Sequence, residues 1–116
     1  MDLQKSIKKQ MSDLIEADNI EKEFYKILED KKIEIKSPAD IDRIDSIFNK
    51  SLNKMLDIIK GYNEEEYTII KSRFVIDFHV RLAEKYGLDP YSISSYFGPH
   101  NDKMFQEAVK NIKKYT

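Results

Sequence analysis

The sequence predicts an all-α protein that folds as a compact bundle of five to six helices. Apolar residues recur every three to four positions along nearly the whole chain, which is the period of an amphipathic helix. Charged residues make up 35% of the 116 residues, with only 3 glycines and 3 prolines. This composition fits neither a disordered tail nor a loop-rich sheet protein. No alternating stretch is long enough to build a sheet.

The first 30 residues carry an apolar stripe at helical spacing, which predicts a helix that buries this stripe. The capping-box pattern in residues 18–21 is compatible with a break near Asp18. The sequence therefore leaves open whether residues 1–30 form one helix or two. The residues of the predicted buried stripe are Leu3, Ile7, Met11, Leu14, Ile15, Ile20, Phe24, Ile27 and Leu28.

Residues 31–36 alternate charged and apolar side chains and are predicted to be an extended connector, held to the core by Ile33 and Ile35. A helix should then begin at Ser37, because Pro38 suits a first helical turn and Asp40 favours its positive end. This helix is predicted to run to Gly61, which is expected to form a left-handed C-cap. Its predicted buried residues are Ile41, Ile44, Phe48, Leu52, Met55 and Ile59.

The central helix is predicted to start at Asn63, with Glu66 three residues on, and to end at Gly87. A short helix follows Asp89-Pro90, and a last helix begins at Asn101 or Asp102. We expect one domain over residues 1–116, with an N-terminal helical portion (1–60) and a helix-turn-helix-like portion (63–116). Residues predicted to share one core are Phe74, Phe78, Leu82, Ile93, Phe97 and Phe105.

Several kinds of chemistry are disfavoured by the sequence, and no catalytic residue, cofactor or metal site is predicted. The chain has no cysteine, which removes disulfides, thiolate metal sites and cysteine nucleophiles. Neither His79 nor His100 has a metal-ligand spacing, and His79 is expected to be structural. The acidic residues Asp40, Asp42 and Asp45 lie on a predicted helix, so they are interpreted as a solvated face. Without a leader pattern or a membrane span, a cytoplasmic protein is expected.

Residues 91–98 have the pattern of the first helix of a helix-turn-helix. Ile93 points inward, the small Ser94 permits close helix approach, and Gly98 would supply a left-handed bend after Phe97. The turn is predicted over residues 99–101, and the second helix from Asp102 to Tyr115.

Residues 71–115 resemble the C-terminal helix-turn-helix DNA-binding domain of the bacterial replication initiator DnaA. The resemblance implies a DNA-binding fold and involves mainly framework positions. In that family an Arg-Asp-His-Thr-Thr-Val run reads the bases, and residues 100–105 of this chain do not preserve it. Sequence recognition of that type and replication initiation are therefore not carried over. The matching framework residues are Ile93, Phe97, Gly98, Ala108 and Ile112.

The first functional hypothesis is a small, non-enzymatic DNA-binding module that binds double-stranded DNA through its last helix, either alone or as a homodimer. Residues 71–116 hold 8 basic and 5 acidic side chains, although the whole chain has a net charge of −1. Phosphate neutralisation supplies much of DNA affinity, so this charge suits modest binding. The candidate DNA-contacting residues are His100, Asn101, Lys103, Gln106, Lys110, Asn111, Lys113 and Lys114.

The second hypothesis is a protein-interaction module, such as an inhibitor, adaptor or subunit of a larger assembly, without nucleic-acid binding. Residue usage suits a phage or mobile element as well as a low-GC bacterium or an archaeon. Tyrosine is enriched where proteins meet their partners. Four tyrosines at predicted helix ends form the candidate partner surface: Tyr62, Tyr86, Tyr91 and Tyr115.

Overall fold

Over residues 3–115 the protein has four long helices and three short helical elements. A computed structural model describes the backbone of residues 3–115 and the side chains of residues 8–90 and 92–114. Within residues 3–115 there is no strand, so the predicted all-α fold is confirmed. The long helices are α1 (Leu3–Asp30), α2 (Asp45–Ile58), α3 (Glu64–Lys85) and α5 (Pro99–Tyr115). The short elements are α4 (Pro90–Ile93) and the 3-10 segments Pro38–Ile44 and Ser94–Tyr96.

Helix α1 is a single unbroken helix of 28 residues, which decides the question of a break near Asp18. Its C-terminal half buries Ala17, Phe24 and Leu28, which share one face at helical spacing. The fork of Arg81 binds Glu21 with N–O distances of 2.6–3.0 Å and ties α1 to α3. The Glu21 carboxylate is buried, and Arg81 gives it a charged hydrogen-bond partner.

The predicted burial of the apolar stripe in the N-terminal half of α1 is wrong. Met11, Leu14 and Ile15 are 56–63% exposed. At about 100° per residue, the packed face of α1 continues back to residues 10 and 13, whereas Met11 and Ile15 lie more than a third of a turn away from it. Met11 and Ile15 therefore face away from α2 and α3, and Leu14 lies at the edge of the packed face, where it lines a groove with residues of α3. The side chains of Leu3 and Ile7 lie outside the described residues.

The C-terminus of α1 has a cap that the sequence does not predict. Lys32 adopts a left-handed conformation, with φ of 55°. The Ile33 amide donates to the Leu28 carbonyl at 2.9 Å, and the Lys32 amide donates to Glu29 at 3.0 Å. These two bonds form a Schellman motif. They turn the chain so that Ile33 and the buried Ile35 pack on the core, as the connector prediction required.

The predicted helix from Ser37 to Gly61 is two elements rather than one. Asp40 Oδ2 accepts hydrogen bonds from the amides of Lys36 and Ser37 at 2.8 and 3.1 Å, which confirms the predicted helix start. These two bonds also lower the pKa of Asp40. The first seven residues are 3-10 helix, in which positions three apart eclipse. Ile41 and Ile44 consequently enter the core from one side.

The helix ends around α3 are partly as predicted. Asn63 Oδ1 accepts from the Glu66 amide at 2.8 Å, and Gly87, with φ of 67°, lies beyond the last turn. Gly61 does not have a positive φ, so the predicted left-handed cap there is wrong. Helix α2 ends instead at Ile58, where the Ile59 amide donates to Leu56.

The core is a continuous cluster of aromatic and aliphatic side chains contributed by all four long helices. All six residues predicted to share it are buried there, and that prediction is confirmed. Phe78 stacks on Phe48 of α2 with ring centroids 4.2 Å apart and meets Phe24 of α1 at 5.0 Å. Phe97 packs on Phe48 at 4.6 Å. The segment that leads into α5 therefore packs on the same core as α1, α2 and α3.

Candidate functional site

Helix α5 has one face fixed in the core and one face turned outward. Phe105 and Ala108 are buried against the rest of the molecule, and α3 is the principal neighbour of α5. The helix begins at Pro99, so the predicted start at Asn101 or Asp102 and the predicted turn over residues 99–101 are wrong. Proline suits a first helical position because it has no amide hydrogen to satisfy there. The turn before α5 is reduced to Phe97 and Gly98.

The N-terminus of α5 is held by a carboxylate from α2. Asp45 Oδ1 accepts hydrogen bonds from the Gly98 amide and from Asn101 Nδ2, both at 2.8 Å. Asp45 is therefore not part of a solvated acidic face. Its negative charge lies at the positive end of α5 and stabilises it. Asn101, which the sequence predicts as a DNA contact, is 1% exposed. Its side chain instead holds the start of α5 to α2.

Gly98 is required for close approach rather than for a left-handed turn. Its φ is not positive, so the predicted left-handed bend is wrong. A Cβ placed on Gly98 would lie 2.8 Å from Asp45 Oδ2, a distance that Cβ atoms do not adopt without displacement of the neighbour. The absence of a side chain lets the carboxylate reach the backbone.

The outer face of α5 carries most of the predicted DNA-contacting residues. Lys103 and Lys110, seven residues apart, lie on one side of the helix, and Gln106 lies between them. Among the described side chains, neither of these lysines makes an ion pair. Glu107 is the acidic residue exposed on this side, and Asn111 is half-buried. The other predicted residues exposed on α5 are His100, Lys113 and Lys114.

His79 lies behind this helix, fully buried among aromatic rings. Its ring centroid is 4.6 Å from that of Phe105 and 5.0 Å from that of Phe97. With Nδ1 donating to the Val75 carbonyl at 2.8 Å, Nε2 is left without a partner. Burial lowers the pKa of His79 to about 4, so the ring is neutral near pH 7. The expectation of a structural role agrees with this position.

Comparison of the chain with protein-family models, with curated proteins and with solved structures found no significant match. In the part of the chain that the structure describes, no three metal-ligating side chains are grouped as an ion would require. Nor does any described helix combine the length and apolar character needed to cross a bilayer.

Of the four tyrosines predicted as a partner surface, the two whose side chains are described, Tyr62 and Tyr86, line different grooves. Tyr62 is half-buried, and its hydroxyl donates to Asp13 Oδ2 at 2.6 Å. Burial, together with this bond, raises the pKa of Tyr62 to about 12. Tyr86 is also half-buried and lines a different groove, and burial raises its pKa. The side chains of Tyr91 and Tyr115 lie outside the described residues.

A second surface, which the sequence interpretation missed, is the exposed apolar patch of Met11, Leu14 and Ile15, called here the α1 patch. Leu14 also lines a groove of about 350 Å³ between α1 and α3. Ile69 and Ile70 contribute apolar side chains to this groove. The same helical period that suggested burial records only that the residues share a face. It does not say whether another element covers them.

Proposed function

We propose that the chain is a small DNA-binding protein whose α5 helix enters the major groove of duplex DNA. The observation that carries the proposal is the outer face of α5, where Lys103, Gln106 and Lys110 are exposed beside one another. A helix fixed by one face and polar on the other suits the recognition helix of a helix-turn-helix, with α4 and Ser94–Tyr96 as the preceding short element.

The side chains of this face have separate roles in the proposal. Lys103 and Lys110 neutralise backbone phosphates, which supplies affinity without sequence preference. Gln106 has the donor and acceptor needed to pair with an adenine edge. The Asp45 carboxylate already lies at the positive end of α5, where it accepts the Gly98 amide, so the proposal assigns the phosphate contacts to lysine side chains rather than to the helix terminus.

The charge of the chain sets the expected strength of binding. The net charge is −1, and Glu107 lies beside the lysines, so few phosphates are neutralised by each copy. Binding is therefore expected to be modest and to weaken steeply as salt rises. A homodimer would present two such helices and double the number of phosphate contacts.

Fluorescence anisotropy titration of mixed-sequence duplex DNA, at low and moderate salt, tests the proposal. The double variant Lys103→Ala/Lys110→Ala should bind all sequences more weakly, and its salt dependence should fall by about two phosphate equivalents. The matched control is Lys26→Ala/Lys50→Ala, which removes the same charge from exposed positions on α1 and α2. Equal losses in both variants, or no duplex binding by the wild type at low salt, would refute the assignment.

A protein-interaction module is the second candidate, and the α1 patch favours it. Contiguous exposed apolar side chains on a soluble domain commonly mark contact surfaces. On this hypothesis the outer face of α5 contacts only solvent, and replacing Lys103 and Lys110 leaves binding of the protein partner unchanged. Absence of duplex binding, together with capture of a partner that Leu14→Glu abolishes, would place this candidate first.

A further inference from the structure

A groove between α1 and α2 combines an apolar floor with basic side chains. Its volume is about 390 Å³, and its floor includes Ile27 of α1 and Ile47 of α2. Both isoleucines are half-buried, so each leaves part of its side chain open to the groove. This surface belongs neither to the outer face of α5 nor to the α1 patch.

The basic side chains of the groove are Lys31, directly after α1, and Lys50 and Lys54 of α2. All three are exposed, and none of them has an ion-pair partner in the part of the chain that the structure describes. Lys50 and Lys54 are four residues apart, so their charges lie one turn apart on the same side of α2. In a chain with a net charge of −1, the groove is a local excess of positive charge.

The acidic residues near the groove do not cancel this charge. Asp57 is the acidic residue of the lining, and it is paired with Lys60 at 3.1 Å. At about 100° per residue, Glu23 and Asp30 lie beyond Ile27, on the side of α1 that is turned away from the core. The unpaired positive charge is therefore concentrated on the α2 side of the groove.

We propose that this groove binds an amphipathic helix of a partner protein, with the apolar stripe of that helix on the two isoleucines and an acidic flank beside Lys50 and Lys54. A groove between two packed helices accepts a third helix, whose apolar side chains cover the floor. Carboxylates on that helix are electrostatically complementary to the unpaired lysines. The phosphate backbone of duplex DNA offers no apolar group for this floor, so nucleic acid is the less suitable occupant. The inference does not depend on DNA binding by α5.

Fluorescence anisotropy with labelled synthetic peptides tests the proposal. The probe is an amphipathic helix of about 14 residues, with leucines at helical spacing, glutamates along one flank and glutamines along the other. It should bind the wild type with a Kd below about 100 μM. A peptide with lysines in place of the glutamates should bind at least about tenfold more weakly, because like charges then meet in the groove. A scrambled peptide of the same composition has no apolar stripe and should also bind at least about tenfold more weakly.

Charge reversal in the protein tests the role of the lysines. Lys50→Glu/Lys54→Glu should invert the preference, so that the lysine peptide binds more tightly than the glutamate peptide. Both positions are exposed, so far-UV circular dichroism and Tm should stay near wild type. The matched control Lys103→Glu/Lys110→Glu makes the same charge change on α5, away from the groove, and should keep the wild-type preference.

Three results overturn the proposal. The first is a glutamate peptide that binds the wild type no more tightly than the lysine peptide or the scrambled peptide. The second is a Lys50→Glu/Lys54→Glu variant that keeps the wild-type preference for the glutamate peptide. The third is a loss of duplex DNA binding that is larger in Lys50→Glu/Lys54→Glu than in Lys103→Glu/Lys110→Glu at the same salt concentration, which would assign the groove to nucleic acid.

Discussion

Lowering the pH from about 7 to about 4 should destabilise the protein through one buried side chain, His79. In the folded protein this ring is enclosed by Phe48, Phe97 and Phe105, and burial lowers its pKa to about 4. The bond to the Val75 carbonyl and the charge of Asp102 act in the opposite direction but do not compensate. In the unfolded chain the pKa returns to the usual value of about 6.5.

The sign and size of the effect follow from these two pKa values. Near pH 7 the ring is neutral in the folded protein and mostly neutral in the unfolded chain, so it contributes little pH dependence. Between about pH 6.5 and 4 the unfolded chain takes up a proton that the folded chain refuses, so the free energy of unfolding falls. At about 1.4 kcal/mol per pKa unit, the loss from His79 approaches about 3 kcal/mol by pH 4.

Urea denaturation followed by circular dichroism, at several pH values between about 4 and 7, measures this loss. His79→Gln should be less stable than wild type at pH 7 but should lose less free energy on acidification. The matched control His100→Gln removes an exposed histidine and should keep the wild-type pH dependence. Carboxylates contribute equally to all three proteins, so the comparison isolates His79. If wild type and His79→Gln lose the same free energy, the argument from burial is refuted.

Three further substitutions test the packing and the caps, each by urea denaturation. Phe78→Ala should cost about 3–5 kcal/mol because Phe78 is fully buried, and a change below about 1 kcal/mol would contradict its central place. Gly98→Ala should cost about 1–3 kcal/mol because the new Cβ meets Asp45. The control Gly61→Ala, with no atom within 4 Å of its Cβ, should be neutral or stabilising, and equal costs would discount the clash. Lys32→Gly should stabilise the fold by up to about 1 kcal/mol, and destabilisation would show that its left-handed φ carries no strain.

The sequence predicts a helix end correctly where the residue type at that end is one of the few that suit a cap. Asn63 and Gly87 mark the ends of α3 because few other residues accept those roles so readily. The end of α1 uses the same motif as the end of α3, but with Lys32 in the left-handed position. A lysine there costs conformational energy and has no signature, so the sequence alone could not reveal it.

The parts that sequence reasoning missed depend on neighbours distant in the chain. The sequence predicts a bend at Gly98 and a DNA contact at Asn101, whereas both donate hydrogen bonds to Asp45, more than 50 residues away. Met11 and Ile15 have the spacing of a buried stripe, but only the fold shows that no helix covers them. Periodicity reports which residues share a face, and burial depends on what packs there.

Asp45 and Phe48 have a consequence for how the C-terminal half could be inherited or transplanted. Both belong to α2, yet one caps α5 and the other stacks between Phe78 and Phe97. Residues 63–116, cut out and fused to another protein, would carry an uncapped helix and an open aromatic face. Residues 63–116 are therefore not expected to fold as an independent unit. A fusion that keeps these contacts has to include α2, and Phe24 and Glu21 of α1 also contact α3.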